Sequence, residues 1–519
     1  MRILFSPDDN VIKKIDHREW GVDKIILPAE IDNYNYNLPE NVNNFTIFIP
    51  TIINQDFALN YDGVELAIHL YFQLLRRSIR QISIVLLGIE SCDSFMKNYA
   101  YPKIIKCPGF DYILLNKYYV VDYSASNQDI NEEEAYNAIE ALDIKLPDSY
   151  RTSHSFVNEW CFYKWSEYMN FDNCDIKKIL AGNLYFDYLS TIQKGVKTSK
   201  VSTTKLDSIK ELEGKVLLID DNPIWHKFFE DFFNNSGVEF KPIGIEFKNL
   251  NIEEIVKKCE TTIRFFDPDI VLLDFRLNED KDFDVKSRND ISGVKVLKAI
   301  KGDSDNVGCA FGTRVLMFTA TGKIEHVLAL QHLGADGFIF KEHPQKYVGK
   351  SSTKESVGKV LNVFDEMLSC APIAKSIVKS FNNWDKCIQA LAPNNEISLR
   401  VSHVEKVVRT LMNGNFQNLP ILKLIYLECF SILENLKDGR EDIYPFIDRL
   451  ASKIGLDPNR SILWQDINSL RNALAHGYDT TKFTFNRNKI KINETIISEW
   501  LINLCDFIFG ILDLYCKQN

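Results

Sequence analysis

VLLIDDN, at residues 216–222, is the stretch that decides the fold of the central part of this chain. Its four apolar residues have the length of a short strand and end abruptly in two aspartates. Similar apolar runs end at Asp274, Thr319 and Lys341, and helical segments separate them. The predicted strands are Val216–Ile219, Ile270–Leu273, Arg314–Phe318 and Gly337–Phe340. Strands this apolar are buried on both faces, which predicts a doubly wound parallel sheet covered by helices.

Polar side chains follow these strands at one edge of the predicted sheet, where open α/β folds bind ligands. Asp220, Asp221 and Asp274 could hold a hard cation such as Mg²⁺ through carboxylate oxygens. A carboxylate oxygen can also attack a phosphoryl group and form an aspartyl-phosphate. Thr319 and Lys341 could then bind the phosphoryl oxygens through a hydrogen bond and an ion pair. The pattern predicts a magnesium-dependent phosphorylation site.

At these residues the segment of about residues 214–345 resembles the receiver domain of two-component response regulators. The resemblance rests on VLLIDDN at 216–222, DPDIVLLDFRL at 267–277, ISGVKVLKAI at 291–300, VLMFTATG at 315–322 and GADGFIFKEHP at 334–344. It implies that Asp274 is the phosphoacceptor and that a partner histidine kinase phosphorylates it. It also implies Mg²⁺ as cofactor, held by Asp220, Asp221, Asp274 and the backbone carbonyl of Arg276.

The same resemblance implies three further roles around the phosphoryl group. Thr319 would be the switch hydroxyl, Lys341 the phosphoryl-binding lysine and Phe338 the rotating aromatic. Asn278 and Glu342 depart from the family pattern, which usually has proline at both positions. An acidic stretch at 278–290, interpreted as a solvated loop, lengthens the segment beside the site. A degenerate receiver that takes no phosphate remains the alternative.

A second motif lies at residues 464–477, which read WQDINSLRNALAHG. Arg471 and His476 are five positions apart, or about 140° around a helix, so both can border one groove. Histidine can move the proton of a ribose 2′-hydroxyl, and arginine can bind the phosphate. Asn472 could orient either group, and Gly477 is a natural helix stop.

These residues resemble the HEPN superfamily of all-helical domains, whose motif is an arginine followed four to six positions later by a histidine. The resemblance covers about residues 395–519. It implies a metal-independent endoribonuclease of stress or phage-defence systems, with RNA as substrate and an active site formed across a homodimer of the C-terminal domain. Two alternatives stay open. One is a non-catalytic HEPN-like module for dimerisation or partner binding, and the other is an unrelated helical bundle in which Arg471 pairs with a carboxylate.

The N-terminal segment shows short apolar runs separated by a helical pattern, which favours an α/β layer. Its predicted strands are Lys24–Pro28, Phe45–Ile53, Ile82–Leu87 and Phe110–Leu115, with a helix at Gly63–Arg77. Their order loosely follows the receiver, but Pro50 stands near the acceptor position and Asn116 near the lysine. One hypothesis is therefore a pseudo-receiver without phosphoryl chemistry.

The chain of 519 residues is expected to hold several domains. The predicted segments are an α/β domain at 1–123, a helical aromatic-rich segment at 124–190, a polar linker at 191–213, a receiver with connecting helix at 214–370, and a helical HEPN-like domain at 371–519. The helix at about Ser351–Leu368 would lead into the C-terminal domain at Ala371, with Pro372 as a break.

Composition sets the remaining expectations. Apolar residues make up 45% and charged residues 25%, which excludes collagen-like and low-complexity classes. A net charge of −10 argues against a chain that binds nucleic acid through an overall basic surface. The eleven cysteines form no C-x-x-C pair, which favours free thiols in a reducing cytoplasm. The sequence contains no stretch of about 18 uncharged apolar residues, so no membrane span is predicted.

The leading hypothesis is a cytoplasmic response regulator in which phosphorylation of Asp274 controls a C-terminal HEPN-like effector, a ribonuclease. The alternative is a signalling adaptor with the same receiver and a non-catalytic HEPN-like domain. No helix-turn-helix with a basic recognition helix is evident, which argues against a transcription regulator.

Overall fold

The computed structural model describes the following residues: 1–5, 20–27, 36, 38–39, 41–53, 61–115, 129–146, 155–169, 171, 183–194, 209, 211–278, 282, 287–302, 308–320, 323–344, 350–389, 391, 395–412, 419–436, 445–446, 449, 458–475, 483–485, 488–490 and 493–518. The chain divides into two compact units. Unit 1 consists of Met1–Thr203 and Lys341–Val357, and unit 2 consists of Thr204–Phe340 and Gly358–Asn519. Together they form a mixed α/β and helical fold.

Unit 1 contains a parallel sheet of five strands. The strands are β1 (Arg2–Phe5), β2 (Lys24–Ile26), β3 (Asn44–Pro50), β4 (Gln81–Gly88) and β5 (Phe110–Leu114), in the order β2-β1-β3-β4-β5. The strands β3 and β4 are buried along almost their whole length, as expected for strands covered on both faces. Four of the strands agree with the predicted runs. Strand β1, which is only four residues long, was not predicted.

Five helices accompany this sheet among the described residues. They are α1 (Asp62–Arg76), α2 (Cys92–Asn98), α3 (Glu132–Glu140), α4 (Ser155–Met169) and α5 (Leu184–Lys194). A buried ionic cluster joins α1 to α5: His69 Nδ1 lies 2.7 Å from Asp187 Oδ2, and Arg76 pairs with the same carboxylate. Helix α4 carries the aromatic residues of the predicted helical segment, and Trp160, Phe162 and Trp165 are buried.

Unit 2 begins with a second parallel sheet of five strands. They are β6 (Glu213–Ile219), β7 (Gly237–Ile243), β8 (Ile270–Asp274), β9 (Arg314–Thr319) and β10 (Gly337–Phe340), in the order β10-β9-β8-β6-β7. Counted from its own first strand, this sheet has the same strand order as the sheet of unit 1. That order is one of the two common doubly wound arrangements.

Helices cover both faces of the second sheet. They are α6 (Pro223–Phe233), α7 (Ile252–Phe266), α8 (Ser292–Lys301) and α9 (Ile324–His332), followed by the long helix α10 (Lys350–Ile388). On one face Val315 and Met317 belong to a core that includes α7 and α8. On the other face Phe318 contacts Trp225 of α6 with ring centroids 4.6 Å apart, and Phe364 of α10 packs on Phe233. The sheet is therefore doubly wound, as predicted.

Helix α10 continues through Pro372, where the sequence analysis placed a break. Proline removes one helical hydrogen bond and disfavours a helix interior by about 3 kcal/mol. Pro372 is exposed, while Leu368, Ala371, Ala374 and Ile377 form a buried stripe on one side of the helix. Burial of this stripe compensates for the proline, and the helix runs unbroken into the C-terminal bundle.

The bundle combines the end of α10 with four further helices and a hairpin. They are α11 (Glu396–Leu411), α12 (Leu419–Asn435), α13 (Pro458–Ala475), the antiparallel strands β11 (Phe483–Phe485) and β12 (Asn488–Ile490), and α14 (Glu494–Gln518). The apolar spacing of the sequence also predicts a helix at Ile443–Ile454, which lies almost wholly outside the described residues. The alternating pattern of residues 482–492 also predicts a small hairpin, which the pairing of β11 with β12 confirms.

One stretch of the described chain, Glu494–Leu514 in α14, is long and apolar enough to cross a membrane by length and composition. Half of it is buried within the structure. Its fully buried residues include Ile497, Leu501, Leu504 and Ile508. The indole N–H of Trp384 in α10 also donates to the backbone oxygen of Cys505 at 3.2 Å. These contacts are those of a core helix in the bundle.

The bundle is attached to the amino-terminal edge of the second sheet. Arg314, the first residue of β9, is 1% exposed and donates through Nη1 to the backbone oxygen of Met412 at 3.1 Å. Lys375 of α10 forms ion pairs with Asp267 Oδ1 at 3.1 Å and Asp269 Oδ1 at 2.9 Å, just before β8. A Cβ atom on Gly312 would lie 3.0 Å from the backbone of Lys375, so the two segments approach closely.

Candidate functional site

The register of the second sheet brings the predicted site residues to one edge. Ile219 pairs with Leu273, so Asp220 and Asp274 follow neighbouring positions on adjacent strands. On the next strand Asp274 pairs with Phe318, directly before Thr319. The polar residues therefore meet at the carboxyl edge of the sheet, opposite the edge that holds the bundle.

Asp220, Asp221 and Asp274 form a cluster in which one carboxylate oxygen of each lies within 4.8 Å of the others. Asp220 is buried, and the other two are half-buried. Two ligands on opposite sides of Mg²⁺ are about 4.2 Å apart, twice the usual magnesium–oxygen distance of about 2.1 Å. Three hard oxygen donors at this spacing fit that ion. No other cluster of this kind occurs among the described residues.

Local hydrogen bonds hold Asp220 in place. The backbone N–H of Asn222 donates to Asp220 Oδ1 at 2.8 Å, and His226 Nε2 lies 2.6 Å from the backbone oxygen of Asp220. Gly244 has a φ of +136°, and a Cβ atom there would lie 2.1 Å from the same backbone oxygen. Glycine at this position therefore permits the close approach of the β7 end to the acidic pair.

Asp274 is positioned by the loop that follows β8. The backbone N–H of Arg276 donates to Asp274 Oδ2 at 3.2 Å. This hydrogen bond holds the carboxylate at the end of the strand. A Cβ atom on Gly293 would lie 2.3 Å from the backbone oxygen of Asp274. The role of the Arg276 carbonyl as a metal ligand stays a prediction.

Thr319, Lys341 and Phe338 occupy the last two strands or follow them directly. Thr319 ends β9, pairs with Phe340 and is 2% exposed. Lys341 follows Phe340 in the chain and is 3% exposed. Phe338 is half-buried and stacks on Phe340, with ring centroids 6.0 Å apart and an angle of 10° between the rings. Their roles toward a phosphoryl group stay predictions.

The acidic stretch at 278–290 contributes buried anchors to the site that the sequence analysis missed. Asn278 is 3% exposed and donates through Nδ2 to the backbone oxygen of Phe247 at 3.0 Å. Asp282 is 3% exposed and accepts from the backbone N–H of Ser292 at 3.0 Å. The interpretation as a wholly solvated loop was therefore wrong for these two residues. A buried acidic side chain needs hydrogen-bond partners. The local sequence does not reveal those partners.

In the C-terminal bundle, Arg471 lies on α13 and forms an ion pair with Glu434 of α12. Arg471 Nη1 also donates to Asn472 Oδ1 at 2.9 Å, and its guanidinium lies 5.5 Å from the centre of the Phe430 ring. The predicted catalytic His476 lies outside the described residues. Glu434 is the residue near this motif that the sequence analysis missed, because it lies 37 positions away in the chain.

Comparisons with known proteins identify similar solved structures. No protein-family model and no curated protein matches the chain. Among solved structures, the chain is similar to the signal receiver domain of a protein described as a Luxo repressor from Vibrio parahaemolyticus. Sequence identity is 19%, the match covers 30% of this chain and 94% of that chain, and the TM-score is 0.20.

Proposed function

We propose that this chain is a phosphorylation-regulated response regulator in which Asp274 accepts a phosphoryl group from a partner histidine kinase. The observation that carries the proposal is the carboxylate cluster of Asp220, Asp221 and Asp274, within 4.8 Å at the carboxyl edge of a doubly wound sheet. The buried hydroxyl of Thr319, at the end of the neighbouring strand, adds a hydrogen-bond donor at the same edge.

Each residue has a role in the transfer. A Mg²⁺ ion held by the three carboxylates and the Arg276 carbonyl would offset charge on the phosphoryl group. A carboxylate oxygen of Asp274 attacks phosphorus, and the bond from phosphorus to the donor breaks. Thr319 donates a hydrogen bond to a phosphoryl oxygen, and the ammonium of Lys341 forms an ion pair with another. Partial burial of Asp274 limits the access of water to the product.

Labelling with a small phosphodonor tests this proposal. With Mg²⁺, wild-type protein should gain one acid-labile phosphoryl group, and Asp274→Asn should gain none. Asp290→Asn is the matched control, because Asp290 is exposed, does not belong to the carboxylate cluster and pairs with Lys295 at 3.5 Å. Equal labelling of wild type and Asp274→Asn would refute the assignment.

For the effector, we propose metal-independent RNA cleavage by Arg471, Asn472 and His476 in a homodimer of the C-terminal domain. His476 would take the proton of a ribose 2′-hydroxyl, whose oxygen attacks the adjacent phosphorus, while the 5′-oxygen of the next nucleotide leaves. Arg471 would bind the phosphate during the attack. The products would carry cyclic phosphate ends. A stress or phage-defence role follows from the resemblance that suggests this activity.

The ion pair between Arg471 and Glu434 favours a second candidate, a non-catalytic adaptor. A carboxylate on the guanidinium neutralises the charge that would bind a phosphate, and the Phe430 ring covers part of the same group. In that function, Arg471 stabilises the packing of α13 on α12, and the bundle serves dimerisation or partner binding.

RNA cleavage by the purified chain without divalent metal separates the two candidates. Ribonuclease activity should disappear in Arg471→Ala and in His476→Ala, since each removes a reacting group. Glu434→Gln, which keeps the shape and removes the charge, should raise RNA affinity by freeing Arg471. Activity that persists in both alanine variants would place the site elsewhere. No cleavage in any form, phosphorylated or not, would favour the adaptor.

A further inference from the structure

The chain crosses between the two units beside the residue that the proposed function assigns to phosphoryl binding. The first part of unit 2 ends at Phe340, and unit 1 resumes at Lys341 and continues to Val357 within α10. Phe340 is the last residue of the edge strand β10 and pairs with Thr319. A force on Lys341 therefore acts at the point where the chain passes from one unit to the other. The inference that follows rests on the proposed function.

Within unit 1, the residues after Lys341 contact helix α4. The backbone N–H of Glu342 donates to Sγ of Cys161 at 3.0 Å. The ring of His343 packs edge-on against Phe156, with centroids 5.3 Å apart. Burial raises the pKa of the Cys161 thiol; the charge of Glu342 adds to the rise and the charge of Lys341 opposes it. Lys341 and Glu342 are therefore both close enough to α4 to act on it.

Glu342 stands where the receiver family usually has proline, and it is the centre of a buried polar cluster. It is 1% exposed and accepts a hydrogen bond from the hydroxyl of Thr353 at 2.9 Å, itself 2% exposed. Burial raises the pKa of Glu342, against this hydrogen bond and the attraction of Lys164 on α4. Proline would lack the N–H that reaches Cys161 and the carboxylate that Thr353 contacts. Buried polar networks tolerate displacement poorly, because each lost partner leaves a desolvated group.

The helical bundle contacts the other edge of the sheet of unit 2. Its contacts through Arg314 and Lys375 lie at the amino-terminal edge of the sheet, away from the carboxylate cluster. Along the chain, Lys341 is bonded directly to Glu342 but is separated from the bundle by most of α10. A displacement of Lys341 therefore reaches the contacts of α4 first.

We propose that phosphorylation of Asp274 loosens helix α4 through Lys341 and Glu342. A charge-assisted bond from Lys341 to the phosphoryl group draws the following peptide with it. The Glu342 N–H then leaves Cys161, and its carboxylate leaves Thr353. Helix α4 loses this polar anchor and opens more often. Unit 1 thus responds to phosphorylation in addition to the helical bundle.

The test measures the rate at which an alkylating reagent labels Cys161 in the full chain, resolved by peptide mass spectrometry. Labelling is compared with and without Mg²⁺ and beryllofluoride, a stand-in for the phosphoryl group. We expect the rate at Cys161 to rise by about 5- to 150-fold, the range of typical allosteric couplings. Asp274→Asn should show no rise. Cys107, which is buried in unit 1 outside helix α4, is the internal control and should keep its rate.

A substitution tests the anchor without any ligand. Thr353→Val removes the hydroxyl at nearly constant shape and should raise the labelling of Cys161 in unmodified protein. Thr313→Val is the matched control, since Thr313 is also 2% exposed and its hydroxyl donates to the backbone oxygen of Pro268 at 3.0 Å, in unit 2. Equal labelling of Cys161 in the two variants would contradict the proposed anchor.

Fluorine NMR of bound beryllofluoride separates failure of this inference from failure of the proposed function. If beryllofluoride binds wild type but not Asp274→Asn, and Cys161 labelling and amide exchange at 155–169 stay constant, the coupling is refuted and the receiver function stands. If wild type binds no beryllofluoride in the presence of Mg²⁺, both are refuted.

Discussion

Charged residues of unit 2 cluster at both edges of its sheet, with like charges at one edge and opposite charges at the other. At the carboxyl edge the carboxylates of Asp220 and Asp274 converge as like charges, an arrangement that favours a cation. At the amino-terminal edge, Asp336 Oδ2 lies 2.7 Å from Lys301 Nζ, and Asp336 Oδ1 lies 2.7 Å from Arg314 Nη2. Like charges thus mark the edge that carries the candidate site, and opposite charges mark the edge that holds the bundle.

Asp336 is the residue whose loss should destabilise unit 2 most clearly. Burial lowers the pKa of Lys301 to about 8, against the attraction of Asp336, so the carboxylate is needed to keep the lysine charged. Asp336→Asn keeps the shape but leaves Lys301 and Arg314 uncompensated. We expect a loss of about 3–5 kcal/mol in the free energy of unfolding, measured by urea denaturation.

Asp290→Asn is the control for this substitution, because its ion pair with Lys295 is on the surface, where such pairs contribute about 0–1 kcal/mol. Similar effects of the two substitutions would show that the buried network does not stabilise the fold.

At the same scale, the sequence predicts residues that end apolar strands and misses partners that are distant in the chain. Asp220, Asp274 and Thr319 could be identified because a parallel sheet places its strand ends at one edge. Asp336 and Glu434 could not, because their partners come from other elements and no local pattern marks the pairing.

At the scale of secondary structure elements, most strands with a continuous apolar run are predictable from their composition, and a strand in which charged residues alternate with apolar ones is not. Strands β8, β9 and β10 agree with the predicted runs within one residue. Strand β7 was missed because it is an edge strand in which exposed and half-buried residues alternate, and it contains Pro242. The prediction divided helix α10 at Pro372, because local helix propensity carries no information on the buried stripe of this helix.

A pH-dependent contact joins α10 to α11. Burial raises the pKa of Asp385 from 3.8 to about 6, and the nearby charge of Glu405 adds to the rise, while Arg409 opposes it. Between about pH 4 and pH 6 the folded chain binds more protons than the unfolded chain. The stability from protonated Asp385 is therefore complete below about pH 4 and is lost as the pH rises through 6.

Asp385→Asn should remove this dependence. The variant should melt at a higher temperature than wild type at pH 8, and the difference should disappear at pH 4, as measured by circular dichroism. Asp365→Asn, an exposed position on the same helix, should leave the melting temperature nearly unchanged at both pH values. A variant that lost stability at pH 8 would show that ionised Asp385 stabilises the bundle.

At the scale of the whole molecule, the two units interleave along the chain. Residues 341–357 belong with unit 1, although the sequence motif that contains Lys341 belongs to the sheet of unit 2. Sequence motifs mark contiguous segments, so the predicted segments follow the chain in order. The return of the chain to unit 1 depends on side-chain contacts such as that of Glu342 with Cys161, which sequence spacing does not reveal.

The identity of the phosphorylated residue tests the central claim most directly. After reaction with a small phosphodonor and Mg²⁺, borohydride reduces an aspartyl-phosphate to homoserine, and peptide mass spectrometry locates the converted residue. We expect conversion at Asp274 alone, because it is the carboxylate at the strand end beside Thr319. Conversion at Asp220 or Asp221, or stable labelling with no converted aspartate, would contradict the account.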